Sequence, residues 1–446
     1  DPGLTTSFGF GLCCLTAVMG VLIVINRHRQ SASATATLTQ EFRTFQSSFV
    51  RVYLLALCAE WLQMGYLYML LDFHGHGPTE IALVFFAGII SQLVATLLLE
   101  VSGGGGCVSN KARCIACLAL QAVSCALLLH SAFGGLVCSR ALGGVATALL
   151  QNAFEAWMVQ QHASQGFPND WLLQTFDLLS VGMSALATAS GPLGETALSV
   201  GGAGGPFKLA IAVVAANALL VVFGWRRDGN KGCPACGDTG RLVGLAAAAL
   251  RGNRRVALLA AQQGCFEAAM FVFAMAWTPL LAAPEDISRP THHPPYALIL
   301  AQFMVSLLIG SWAYKLLCQR DEDSSGWSPA GLCGFALFGS TVAFSALAVL
   351  RDRFGSICIC LAFECCVGVY INAAGHMRAT LMPPEVRGLV MGGAKAVVAT
   401  AVFGAAAVPL AGQRTPLMCV CAALAAIALR CNAKLTALSE DGGGGE

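Results

Sequence analysis

What most constrains this chain is a series of apolar runs, each about twenty residues long, that recurs from one end to the other. A helix needs roughly 20 such residues to cross the hydrocarbon layer, where every backbone N–H and C=O must be satisfied within the segment. The runs lie near residues 7–26, 48–72, 79–101, 112–131, 133–160, 171–198, 206–224, 255–282, 295–317, 329–350, 354–377, 387–411 and 414–433. Only 11% of the 446 residues are charged, against roughly 25% in a soluble domain, which leaves too few to cover a water-facing surface. An aqueous enzyme is excluded on that ground, and a hydrophobic content of 56% excludes disorder. No nucleophile–base pair, phosphate-cradling glycine loop or intramembrane metal set is present, so neither an enzyme nor a cofactor is expected. The net charge of +2 argues against a nucleic-acid partner. The expectation is an all-α polytopic protein whose partner is the lipid bilayer.

The basic residues give the orientation. With 27–51 placed in the cytosol, 19 of the 26 Lys and Arg fall on the cytosolic side, 5 fall outside, and Arg140 and Lys395 stay within the membrane. The first run has its basic flank, Arg27-His28-Arg29, after the apolar stretch, which favours a genuine extra helix over a signal peptide. The other twelve divide six and six around a polar stretch. The expected organisation is an N-terminal helix and cytosolic segment (1–46), a six-helix bundle (47–225), a cytosolic linker (226–254), a second bundle (255–435) and a flexible tail (436–446). Arg51-Val52-Tyr53-Leu54-Leu55-Ala56 opens the first bundle and Arg255-Val256-Ala257-Leu258-Leu259-Ala260 the second, as an internal repeat would. Two parallel six-helix repeats joined by a long cytosolic connection are the plan of major facilitator carriers.

Each ionisable group at a helix centre costs roughly 2.5–3.5 kcal/mol on insertion scales, so those that persist point to function. Glu60, Arg140, Glu155, Asp177, Glu267, Glu364 and Lys395 lie within the runs. Glu60 and Glu267 sit on the first helix of each bundle, Glu60 with Gln63 on its face and Glu267 with Gln262 and Gln263 a turn before it. Arg140, Gly144, Thr147, Gln151 and Glu155 form one stripe on the fourth main helix. Arg140 and Glu155 are about 22 Å apart along the axis and cannot pair. Arg140 is therefore a substrate or coupling residue, or the partner of an acid on another helix. Thr147 is expected to bond back to a carbonyl one turn earlier, and Gly143-Gly144 to allow close helix packing. Lys395 either meets an anion or pairs with Glu364. The candidate substrate and coupling residues are Glu60, Gln63, Arg140, Glu155, Glu267 and Lys395. The seven ionisable residues within the runs, five acids and two bases, sum to −3 when ionised, which suits proton coupling or a cationic solute better than an anion. Cys233 and Cys236 in the linker make half a zinc site and read as a solvated loop. Asp72, His74 and His76, and His292 and His293, read as polar external loops.

Glu60-Trp61-Leu62-Gln63 with Tyr66 and Tyr68, Arg140 with Gly144, Phe154-Glu155-Ala156-Trp157, Phe167-Pro168-Asn169-Asp170-Trp171, Phe266-Glu267 and Trp277-Thr278-Pro279 resemble the eukaryotic molybdate-anion transporter family of the major facilitator superfamily. The resemblance runs from about Phe42 to Leu429 and extends to the extra N-terminal helix. It implies two six-helix bundles plus that helix, a multi-pass protein of the cell membrane, and import of molybdate by alternating access. The superfamily's basic signature between helices 2 and 3 is reduced here to Glu100, a glycine run, Lys111 and Arg113. The alternatives are a proton-coupled carrier of an organic solute and a non-transporting receptor or scaffold. The oligomeric state is not legible.

Overall fold

The computed structural model describes residues 2–31, 39–101, 108–225, 239–281, 295–318, 327–382 and 414–440, together with 387, 390, 391, 393, 394 and 404. Among these residues every regular element is helical. The chain forms α1 (Pro2–Ser31), α2 (Gln40–Met64), α3 (Leu67–Phe73), α4 (Pro78–Val101), α5 (Asn110–Leu128), α6 (Phe133–Ser164), α7 (Asn169–Gly201) and α8 (Gly205–Gly224). There follow α9 (Thr239–Gly252), α10 (Arg254–Leu281), α11 (Tyr296–Cys318), α12 (Pro329–Val349), α13 (Arg353–Leu381) and α14 (Arg414–Glu440).

Among the described residues ten stretches are long and apolar enough to cross a membrane, or eleven with the bent pair α2–α3. One of them, Gln174–Gly224, has 51 residues, or about 77 Å as one helix, more than twice the hydrocarbon thickness. It is two crossings. Gly202, with φ +64°, breaks it, and a short 3-10 turn at Gly202–Gly204 returns the chain so that α8 packs on α7. Gly205 lies so close to the Ala197 carbonyl that a Cβ would collide with it. The run 387–411 falls mostly outside the described residues.

One expectation is corrected. The run 48–72 is not one helix: it bends by 43° between α2 and α3, where Gly65 and Tyr66 replace helical bonding with a tight turn closed by Tyr66 N–H on the Gln63 carbonyl, 3.2 Å. Glycine makes interruption cheap because it has no helix preference to lose. The second part of the stretch 226–254 forms α9, where Leu245–Leu250 is a run of strong helix formers.

The chain divides into two compact units. Unit 1 holds residues 1–12, 27–237 and 295–301; unit 2 holds 13–26, 238–294 and 302–446. In unit 1, α6 packs on α4 and α5, α2 on α7 and α8, and α5 on α8. In unit 2, α14 packs on α10 and α12, and α13 on α10 and α12. Unit 1 closes at one end with an aromatic cluster: Phe42 and Phe45 of α2, His162, Phe167 and Trp171. Beside it Trp157 stacks on Trp225, with ring centroids 3.6 Å apart. Lys111 donates to the Val222 and Trp225 carbonyls at 3.0 and 2.6 Å, capping the C-terminus of α8, where the helix dipole favours a cation.

Candidate functional site

In unit 1 the stripe on α6 faces α2 and α4. Gly144 presses so closely on α4 that a Cβ would collide with the Gly88 carbonyl, and the Ser91 hydroxyl donates to the Ala141 carbonyl. This contact fixes the rotation of α6, and with it the direction of its polar residues. Thr147 then turns to α2, where its hydroxyl donates to Glu60 Oε1 at 2.8 Å. That corrects the expected back-bond to its own helix: a membrane-embedded carboxylate is a far stronger acceptor than a carbonyl already bonded in the helix. The Gln92 amide reaches Gln151 Oε1 at 3.5 Å.

One turn and more from Thr147, the Arg140 guanidinium lies over Gly88 and Gly143, within 3.4 Å of where their Cβ atoms would be. A methyl group at Gly143 would press on it and on the Ser124 hydroxyl, and one at Gly88 would just touch it. Its charge acts on Glu60 and on the Cys125 thiol, but it makes no direct ion pair with Glu60. Its Nε is fully buried and has no hydrogen-bond partner among the described residues. Tyr53 carries its hydroxyl within the fields of both Glu60 and Glu155, while Glu155 itself is exposed. The result is a guanidinium held against small residues, with an acid, a hydroxyl and a phenol nearby and one N–H still open.

Unit 2 repeats the same helix contact. A Cβ at Gly368 of α13 would collide with the Leu307 carbonyl of α11, and one at Gly310 would collide with the Cys365 carbonyl. Gly144 with its backbone neighbours Gly88 and Gln92, and Ser91 on Ala141, correspond one for one to Gly368 with Leu307 and Ser311, and Gly310 on Cys365. On this register Arg140, which precedes Ala141, is equivalent to Glu364, which precedes Cys365. Glu364 is 9% exposed and has no hydrogen bond or ion pair among the described residues. Lys395, its expected alternative partner, lies outside the described residues.

The amide side chains near these groups are already bonded. Gln63 donates to the Ala59 carbonyl at 2.9 Å, Asn152 to Ala148 at 2.7 Å, and Asn372 to Ser311 and Gly368 at 2.7 and 2.9 Å. Gln262 donates to the Cys333 sulfur at 3.0 Å, and Gln263 to Glu267. Sequence reasoning passed over Glu195 on α7, which accepts a hydrogen bond from the Tyr66 hydroxyl at 3.1 Å. Its position inside an apolar run was the available signal. Among the described residues no group of three His, Cys, Asp or Glu side chains is placed to hold a metal.

Apolar helices bundled around buried ionisable groups define a polytopic carrier, and comparison with known proteins agrees. The profile of a family described as sugar transporters with twelve transmembrane segments matches residues 8–328. A molybdate-anion transporter of Xenopus laevis is 30% identical over 86% of this chain and 83% of its own length, and one of Xenopus tropicalis is 29% identical over 84% and 81%. Among solved structures, the nucleoside transporter NupG aligns with TM-score 0.66 at 12% identity, over 88% of this chain and 98% of its own. An auto-inhibited peptide transporter of the POT family aligns with TM-score 0.63 at 12% identity, over 89% and 96%. These two show the fold alone, which is that of the major facilitator carriers. The chain belongs to the molybdate-anion transporter family of that superfamily.

Proposed function

We propose that this protein imports molybdate across the cell membrane by alternating access, with the bundles 47–225 and 255–435 as its two moving parts and Arg140 as the residue that meets the anion. The observation that carries this reading is the buried Nε of Arg140, which has no hydrogen-bond partner among the described residues and lies against Gly88 and Gly143. Burying a tetrahedral dianion requires charge-assisted donors, and guanidinium presents several in a fixed fork. The names of the vertebrate relatives support the same cargo. Glu60 is placed to offset the acidic balance of the membrane interior: taking up a proton as the anion enters removes the nearby negative charge. Glu155, Glu267 and Lys395 complete the set of candidate coupling residues; Gln63, bonded to its own helix, is the weakest member.

The test is uptake of molybdate by cells that lack their own carrier. Wild-type chain should import it, and Arg140→Ala should abolish import while leaving surface expression intact. Normal import by Arg140→Ala would end this binding model. A second reading, a proton-coupled carrier of an organic solute, is favoured by the excess of intramembrane acids and by the sugar-transporter description of the matching family. Absence of molybdate uptake together with proton-driven uptake of a sugar or nucleoside would replace the first reading with the second.

A further inference from the structure

The break in the first helix of unit 1 is held from the side. Tyr66 is the N-cap of α3 immediately after the bend, and its ring lies against α7, where a Cβ on Gly194 would come within 2.9 Å of it. That contact aims the Tyr66 hydroxyl at the next residue, Glu195, whose Oε1 accepts its proton at 3.1 Å. Tyr66 is 1% exposed. Glu195 is only partly buried and forms no ion pair among the described residues. The backbone of Ala297, in the same unit, is its other polar neighbour. Of the other titratable groups on the elements packed here, Asp72 acts on Tyr68, the Lys208 stem lies on Gly204, Glu80 pairs with His76, and Asp177 sits 18 residues back along α7.

A carboxylate in this position has a phenol and a peptide group as donors and no cation among the described residues, so no ion pair fixes its protonation state. Protonation changes the Tyr66 contact from a charge-assisted hydrogen bond to a neutral one of roughly half the strength. The two states of Glu195 therefore hold α3 with different force.

We propose that Glu195 is a proton-binding site that latches the break in the first helix through Tyr66, so that protonation releases α3 from α7. This rests on the reading of the chain as a carrier but not on the identity of its cargo. Glu195 acts through Tyr66 and is a positioning residue.

The test uses the full chain in proteoliposomes carrying M69C. Met69 lies within α3 and is 6% exposed, so a thiol there is reached only when α3 loosens. Labelling of position 69 by an impermeant maleimide is followed by peptide mass spectrometry as pH is lowered from about 8 to about 5, with maleimide reactivity corrected against a soluble thiol. Labelling should accelerate several-fold towards acid pH. Tyr66→Phe and Glu195→Gln should each label fast at both pH values, and the double variant no faster than either alone. His76→Asn, which removes the neighbouring pH-sensitive contact, should leave the Glu195-dependent acceleration in place. The proposal is overturned if Glu195→Gln keeps the wild-type pH response, if Tyr66→Phe labels at the wild-type rate, or if His76→Asn alone abolishes the response. The readout needs no solute, so a chain that imports no molybdate but passes this test loses only its cargo assignment.

Discussion

Arg140 stands in a membrane protein with one N–H unspent, and the residues around it decide what substitution does. Arg140→Lys keeps the charge but loses the planar fork, so molybdate uptake should survive with an affinity at least tenfold weaker, about 1.4 kcal/mol or more. A dose–response of initial rates measures it. Glu60→Gln keeps an oxygen for the Thr147 hydroxyl and removes the titrating proton, so solute exchange should persist while the pH dependence of net uptake flattens. Unchanged pH dependence and rate would make Glu60 structural. His76 titrates for a visible reason. Its Nδ1 lies 2.9 Å from Glu80 Oε2 and its Nε2 3.0 Å from the Ser131 carbonyl, so both ring nitrogens face acceptors and the imidazolium fits best. The Glu80 carboxylate holds its pKa above the ordinary histidine value, while burial first, and then the His76 charge, hold His74 below it. Because the folded pKa of His76 is raised, its tie between the two loops is complete below the ordinary histidine range of about 6.5 and is lost as pH rises through the higher folded value. Hydrogen–deuterium exchange of 74–80 should therefore quicken above neutral pH, once corrected for intrinsic exchange, and His76→Asn should remove that step.

Between elements, the close contacts are made by glycine. Gly144 on α6 and Gly368 on α13 each lie against a carbonyl of the neighbouring helix, so a methyl group at either position must push two helices apart. Overpacking of this kind costs roughly 1–3 kcal/mol. Gly144→Ala should lower the thermal unfolding midpoint in detergent and reduce uptake through misplacement of Thr147 and Arg140, whereas Gly134→Ala, with nothing within 4 Å, should be neutral in both assays. Equal effects from the two substitutions would remove the α4–α6 contact as the feature that sets the site. The same contact in unit 2 explains why the repeat is faint in sequence: Gly88 corresponds to Leu307 and Ser91 to Gly310, so backbone approach is preserved while side chains differ. It also places opposite charges, Arg140 and Glu364, at one register position of the two units.

For the whole molecule, two outcomes follow from the carrier reading. Tungstate, close to molybdate in size and charge, should compete strongly for uptake, and the smaller sulfate should compete poorly; equal competition would mean a site that reads charge without size. Cys233 and Cys236 should react with an impermeant thiol reagent only after permeabilisation, as the bias of basic residues requires. What the sequence by itself determined is the helical class, the crossing segments and the presence of costly ionisable groups among them. These depend on local chemistry: a run of apolar residues in lipid has no alternative to a helix, and Glu60 or Arg140 stands out against its own neighbours. The bend at Gly65-Tyr66 and the helix α9 were less legible, because glycine permits a break without requiring one and alanine-rich stretches fold where packing allows. Only the tertiary structure decided that Thr147 serves Glu60, that the Asn372 amide reaches Ser311, and that Glu195 holds Tyr66 from 129 residues away. Those partnerships depend on which helix faces which and at what rotation, and here that rotation is fixed by glycines whose only signal in sequence is the absence of a side chain.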